Sequence, residues 1–386
     1  MSNIFWSFRG PLLANFFLMI ILLIGACSDG SNPPTFDSHT SQLLQNTLDT
    51  SLATLGVPGA AVTIIRPDGA KWVGVSGLSS IENNTPMVPG LKFRIGSLTK
   101  TMTAVVALQL VQEGPLSLDA SVESILPGVV PNGANITVRQ LLNMTSGLFN
   151  YTDDVPIFMT TEITSGVLHN WAPSDLLAIA NAHPVYFAPG EGWHYSNTNY
   201  ILLGLIIEKV TGNTFTQEVT SRIINHLGLN NTSIPTSSDM PPGSTQGYFW
   251  YAGTRYNSTK ADPSFGWSAG NAISNNDDLA VFLTAVINGS LLDQQRNTDM
   301  FTFVNDHGVV TQGDDAIYGL GLYYFSPGWL GHSGDFIFGG QASLYGYNGW
   351  MFIVQTNASP PNPIEGVHNG ADYIWSTLVT ALGLPI

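Results

Sequence analysis

The chain has 386 residues, 44% of them hydrophobic, with 40 Gly and 23 Pro; that suits one large or two intertwined globular domains with an ample core. Its 27 acidic and 12 basic residues leave a formal net charge of −15, which disfavours nucleic acid and anionic lipid headgroups as partners. Cys27 is the sole cysteine, so no disulfide forms within the chain.

Residues 1–26 carry one charge, Arg9, and an apolar run from 11 to 26 that is too short and too early for a comfortable membrane span. They read as a secretory signal peptide. The run ends Leu23-Ile24-Gly25-Ala26-Cys27, which resembles the bacterial lipobox. That resemblance implies lipidation of Cys27, with cleavage before it. The expected protein is secreted across the inner membrane and is extracytoplasmic. A lipid would anchor it to the bacterial cell envelope without spanning a membrane. Residues 27–41, lipidated at Cys27, are then the tether, and 42–386 the folded domain. Cleavage leaves 11 basic and 27 acidic residues.

Residues 40–55 predict an amphipathic helix, with Leu43, Leu44, Leu48 and Leu52 on its apolar face. Residues 59–65 and 70–76 read as strands about the Pro67-Asp68-Gly69 turn. The stretch 93–112, FRIGSLTKTMTAVVALQLVQ, is the one around which the rest of the chain is organised. Leu98, Met102, Val105, Leu108 and Val111 recur every three or four residues and predict one buried helix face. Glu113-Gly114-Pro115 stops the helix. Ser97 thus opens a helix, where free backbone N–H groups favour negative charge. Lys100 lies one turn on, within reach of the Ser97 hydroxyl. A hydroxyl beside an amine that burial can neutralise is a nucleophile with its activator. Alternatively, Ser97 is a plain cap and Lys100 a solvated helix residue.

Thr137-Val138-Arg139-Gln140 is a capping box opening a short helix through Met144. Between 116 and 262 strand signals are thin, and 199–210 is the best helix, closed by Thr211-Gly212. This region is expected to be a mostly helical subdomain inserted into an α/β subdomain made of 42–115 and 263–386. A helix over 274–288, strands at 320–325, 336–345 and 350–356, and a helix at about 370–382 complete the chain. The fold class is α/β (α+β), an antiparallel sheet flanked by helices.

Two further motifs strengthen the Ser97–Lys100 pair. Tyr195-Ser196-Asn197 is the only Y-x-N in the chain. A phenol near a lysine can relay the nucleophile's proton, and an amide two residues on can fix lysine and substrate. A tyrosine there is also compatible with a core residue whose hydroxyl is satisfied. H-x-G occurs at His226, His332 and His368. The first and last read as helix punctuation. His332-Ser333-Gly334 lies among small residues, where backbone can approach a ligand closely.

FRIGSLTK, ITVRQLLNMTSGL, APGEGWHYSNTNYILLG and GHSG follow one another in order. They resemble the serine β-lactamase-like superfamily, in the branch with class C β-lactamases, soluble D-alanyl-D-alanine carboxypeptidases and related esterases. The likeness runs from about residue 36 to the end. It implies a β-lactamase/transpeptidase-like fold and two-step acyl transfer through Ser97, Lys100 and Tyr195. Backbone N–H groups of Ser97 and Asp335 would form the oxyanion hole, with Asn197, His332, Ser333, Gly334 and Asp335 binding substrate. No cofactor is implied, and the dispersed histidines show no metal-ligand spacing. The substrate would be a small molecule, peptide or ester, peptidoglycan stem peptide among them.

The chain departs from that pattern. Carboxypeptidases of the branch resemble one another in an arginine after a GLGL-like strand, where here Gly319-Leu320-Gly321-Leu322 is followed by Tyr323-Tyr324-Phe325. Asp335 stands where a hydroxyl residue is common; it would repel a carboxylate and could hold an ammonium. Met144 replaces a frequent histidine. Esterase, amidase or aminopeptidase-like activity, and β-lactamase action, therefore stay open beside carboxypeptidase activity. Two rivals remain. Gly266-Trp267-Ser268-Ala269-Gly270 matches the G-x-S-x-G elbow but follows turn chemistry rather than a strand. A catalytically silent envelope binding lipoprotein could keep the same fold.

Overall fold

The computed structural model describes residues 34–154, 161, 165, 166, 168–336, 338–361, 367 and 369–386. The expected signal segment, Cys27 and His368 lie outside the described residues. Helix α1 (Ser38–Leu55) starts on Asp37, which accepts from Thr40 N at 2.8 Å, and closes on Gly56 at φ 67°. It therefore takes in the last four residues of the expected tether. Leu44, Leu48 and Leu52 turn inward as expected, but Leu43 is 39% exposed, because it falls at the rim of the apolar stripe.

Strands β1 (Gly59–Ile65), β2 (Lys71–Ser80) and β3 (Thr85–Pro86) come next. After them lie the helices α2 (Thr99–Glu113), α3 (Asn197–Thr211) and α4 (Asn276–Ile287). The chain ends in β4 (Tyr323–Phe325), β5 (Trp329–Phe336), β6 (Gly340–Tyr347), β7 (Trp350–Thr356) and α5 (Gly370–Ala381). The strands form an antiparallel sheet of order β4-β5-β6-β7-β1-β2-β3. Its middle is the β7–β1 pair, Ala60 opposite Thr356 through Ile65 opposite Met351, so early and late segments of the sequence meet there.

Strand alternation gives the sheet two apolar faces. Phe352 and Val354 pack with Leu44, Leu48, Ile374 and Leu378 of α1 and α5. Ile353 and Leu344 pack with Leu279, Phe282 and Leu283 of α4. Burial on both sides explains why GAAVTII in β1 reads as a continuous apolar run.

Further expectations need correction, among them the strand at 320–325, which begins only at Tyr323. Helix α2 is not amphipathic: residues 99–108 are all buried, because a central helix is covered on every side. The helix after Thr137 has its capping box but ends at Leu142, and Met144 sits at φ 67°. A hairpin, Tyr248–Tyr251 with Thr254–Asn257, interrupts the otherwise helical stretch 116–262; four-residue strands leave little periodicity to read. Finally, the region around His332 is itself a strand, β5, and its neighbour β6 begins at Gly340 rather than 336. The small residues of GHSG hid it, since glycine and serine weaken any strand signal.

Candidate active site

Ser97 lies on a single 3₁₀ turn, Gly96–Leu98, that runs into α2. Gly96 has φ 53°, and a Cβ there would sit 2.6 Å from the Asp335 backbone. A Cβ on Gly334 would sit 1.9 Å from the Ile95 carbonyl oxygen. Two glycines, one on each side, thus let the serine turn touch β5 and bring the Asp335 peptide against it.

Lys100 is wholly buried. Its Nζ makes three bonds: to Ser97 Oγ at 2.9 Å, Asn197 Oδ1 at 2.6 Å and the Ala269 carbonyl at 2.7 Å. Burial, with no carboxylate to offset it, holds the amine well below the usual lysine range. Two of the three partners can only accept; the third, a hydroxyl, can donate. A neutral amine therefore gives both hydrogens to Asn197 and Ala269, and its lone pair faces Ser97.

Tyr195 reaches the same serine from α3's entry. Its phenol hydrogen-bonds Ser97, and burial, then the neighbouring Tyr323, push it well above the usual tyrosine range. Its ring centroid lies 4.9 Å from Lys100 Nζ. Burial thus drives both groups to their uncharged forms, one a base and the other an acid.

Asn197, the first residue of α3, is held on two sides. Its N–H donates to Asn150 Oδ1 at 3.0 Å and its Nδ2 to Thr152 Oγ1 at 3.1 Å. Thr152 lies in the turn Tyr151–Asp153, and Asn150 immediately precedes it. Sequence reasoning missed both; nothing in Asn-Tyr-Thr-Asp marks them. The Ala269 carbonyl was missed too, although its segment was singled out. Residues 266–270 form a short helical turn whose Ser268 is buried and donates to the Tyr200 carbonyl at 2.9 Å. They serve Lys100 and not a second nucleophile.

A cleft of roughly 220 Å³ opens over Ser97, lined by Asn150, Thr152, Tyr195, Asn197 and Asp335 among others. His332 and Ser333 are not among its lining residues. His332 is buried, with Nε2 2.9 Å from Tyr318 Oη and Nδ1 bonded to the Ser333 carbonyl. Burial pushes its imidazole down to about 3, so it is neutral. The Ser333 hydroxyl turns toward Tyr345 and Asp372. Asp335 is exposed; Gln341 Nε2 donates to it at 3.1 Å. Desolvation of the carboxyl by the protein around it, opposed by the bonds from Gln341 and Ser359, pushes it up to about 6. Met144 lies beneath, its sulfur 3.4 Å from Ser196 N. His226 belongs to a helix end capped by Gly228. Among the described residues no group of three His, Cys, Asp or Glu side chains is gathered to hold a metal.

A buried lysine and a phenol converging on one helix-borne serine, beside the edge strand region of an antiparallel sheet, place the molecule among the β-lactamase/transpeptidase-like serine hydrolases. Residues 44–373 match the Beta-lactamase family, and the chain belongs to it. It is similar to a D-stereospecific amidohydrolase from Streptomyces sp., with 34% identity and a TM-score of 0.76 over 88% of this chain and 98% of that one. It is similar also to D-amino acid amidase from Ochrobactrum anthropi SV3, at 27% identity and a TM-score of 0.77, over 90% of this chain and 99% of that one. Protein flp of Staphylococcus aureus (strain MRSA252) is 30% identical over 216 residues, 55% of this chain. That match spans only 42% of the staphylococcal protein.

Proposed function

We propose that this protein is an amidohydrolase that forms an acyl-enzyme on Ser97, and that its substrates are amides with a free ammonium on the acyl side. The observation that carries the chemistry is the threefold coordination of Lys100. Ser97 Oγ bonds to the amide carbon while its proton passes to the Lys100 lone pair. The oxyanion forms against the N–H groups of Ser97 and Asp335. The C–N bond then breaks; the Tyr195 phenol protonates the departing nitrogen and regains a proton from Lys100. Water repeats the sequence on the ester and releases the acid.

Selection rests on Asp335. Among the described residues no basic side chain pairs with its carboxylate, so an ammonium would find an unspent acceptor and a carboxylate would meet repulsion. The similarity to two amidases whose names specify D-configured substrates supports this reading. Tyr323, stacked at 6° on Tyr195 with centroids 6.4 Å apart, offers no cation to grip a free carboxylate. We place the protein outside the inner membrane, anchored through Cys27, on the strength of residues 1–27; there it would meet stem peptides of peptidoglycan and the D-amino-acid derivatives released from them.

The test is a substrate panel on the purified protein: D-amino-acid amides, p-nitrophenyl esters, nitrocefin and D-Ala-D-Ala peptides, with Ser97→Ala as control. Amides with a free ammonium should turn over fastest, and a fluorophosphonate should add one mass increment at Ser97. Preference for the free-carboxylate dipeptide would overturn the substrate assignment, and no covalent adduct on folded protein would overturn the hydrolase assignment.

A further inference from the structure

The histidine of GHSG has no ring nitrogen left for a substrate. The Ser333 carbonyl can only accept, so Nδ1 of His332 carries the proton. The neutral ring then has its lone pair at Nε2, and the Tyr318 O–H donates there, at 2.9 Å, while its oxygen also meets the Tyr200 hydroxyl, which donates to the Leu142 carbonyl at 2.9 Å. Both nitrogens are committed inside the protein. What, then, does the pair hold in place?

Tyr318 is wholly buried, with its ring edge-on to Tyr323 at 4.7 Å and its carbonyl accepting from Val304 N at 2.9 Å. Three residues on, the Gly321 carbonyl accepts from Thr101 Oγ1 at 2.7 Å, and Thr101 directly follows Lys100 on α2. The segment bearing Tyr318 is therefore fastened to the helix that carries the activating lysine. At the other end, His332 is on β5, where Gly334 and Asp335 press against Ile95 and Gly96. The Tyr318–His332 bond is a buried polar strut between the helix wall and the strand wall of the cleft.

We infer that Tyr318 is a positioning residue: its hydroxyl locks the His332 imidazole onto the Ser333 carbonyl and so fixes where β5 presents the Asp335 N–H to the reacting carbonyl. This rests on the acyl-transfer reading above. A group whose alignment counts only as charge develops on the oxyanion acts on kcat and not on substrate affinity.

Tyr318→Phe removes the hydroxyl and keeps the ring. With p-nitrophenyl acetate, kcat should fall about tenfold with KM within about twofold, since small misplacements of reacting groups carry penalties of that order. In Tyr318→Phe, the ¹⁵N resonance of His332 Nε2 should lose its hydrogen-bonded signature. Because Tyr318 acts through His332, adding Tyr318→Phe to His332→Ala should cost no further activity. Wild-type kcat in folded Tyr318→Phe, or losses that multiply in the double variant, would overturn the proposal. So would a wild-type spectrum showing the proton on Nε2, a measurement that needs no variant to fold. A wild type that turns over no ester and takes no fluorophosphonate sinks the hydrolase reading instead, and the imidazole spectrum still decides the strut.

Discussion

The two walls of the cleft are built on opposite electrostatic plans. On the helix side, Ser97, Lys100, Asn197 and the Ala269 carbonyl form a closed set in which every hydrogen of the amine has an acceptor and no carboxylate intrudes. On the strand side, Asp335 presents a carboxylate with amide and hydroxyl neighbours and, among the described residues, no cation. The first wall removes charge, as a base requires; the second exposes charge, which in the proposed function chooses the ligand. If that function holds, rate and selection are separable, and each wall can be disabled while the other is kept.

The largest effect is expected from the helix wall. Ser97→Ala should lower turnover by about a thousandfold or more and abolish fluorophosphonate labelling, while the affinity for a D-amino-acid amide, measured by calorimetry, stays within a few-fold. Binding lost together with turnover would show that the walls are not separable.

Lys100→Met keeps the buried volume and removes the proton acceptor, so activity should drop by about 10²–10⁴-fold. Stability should move the other way. The folded protein holds this amine below its ordinary value of 10.5, so at neutral pH the unfolded chain binds the proton more readily and folding is penalised. Methionine removes that penalty. Its Tm should therefore exceed that of the wild type at pH 7, and the difference should shrink as pH rises toward 10.5, the amine's ordinary value, where the unfolded chain too gives up the proton. Equal Tm values at both pH values would mean that Lys100 is not held neutral.

Asp335→Asn addresses the strand wall. A charge-assisted bond to an ammonium contributes about 1.5–3 kcal/mol, so KM for amine-bearing amides should rise roughly ten- to a hundredfold while KM for p-nitrophenyl acetate stays put. In the wild type, kcat/KM for the cationic amide should fall as pH drops through about 6, where the carboxyl takes a proton; the neutral ester lacks this limb. The asparagine variant should lose this limb, so that the amide and the ester show the same profile. An ester KM that moves with the amide KM would assign Asp335 to scaffold and not to selection.

How legible each wall is in the sequence differs for a physical reason. The helix wall is local: Ser97, Lys100 and the stop at Gly114 lie in one stretch, and Gly114 takes the left-handed φ of 100° that a helix stop there requires. Tyr195 and Asn197 stand out because a turn and a helix start bracket them. The partners that complete the wall, Thr152 and the Ala269 carbonyl, leave no trace, since a backbone oxygen has no residue type and one threonine looks like any other. The strand wall is harder. Small residues single out His332 among three H-x-G sites, but the same Gly and Ser make its strand invisible. That its ring spends both nitrogens on Tyr318 and Ser333 depends on a contact 14 residues away. Spacing finds side chains that share an element; it is silent on which way an edge of backbone faces.

The smallest effect tests whether residues 266–270 serve the helix wall only through backbone. Ser268 sits in a G-x-S-x-G match yet is buried and donates to the Tyr200 carbonyl at 2.9 Å, so it has no line to a substrate. Ser268→Ala should leave kcat and KM within about twofold, because the Ala269 carbonyl that holds Lys100 is untouched. Losing one buried hydrogen bond costs about 0.5–1.5 kcal/mol, visible in a domain of this size as a Tm lower by about 1–2 °C. A variant that unfolds normally but no longer turns over ester would hand the reaction to Ser268; the neutral amine and raised phenol around Ser97 would then have no chemical work, which the geometry of the two walls makes the least economical reading.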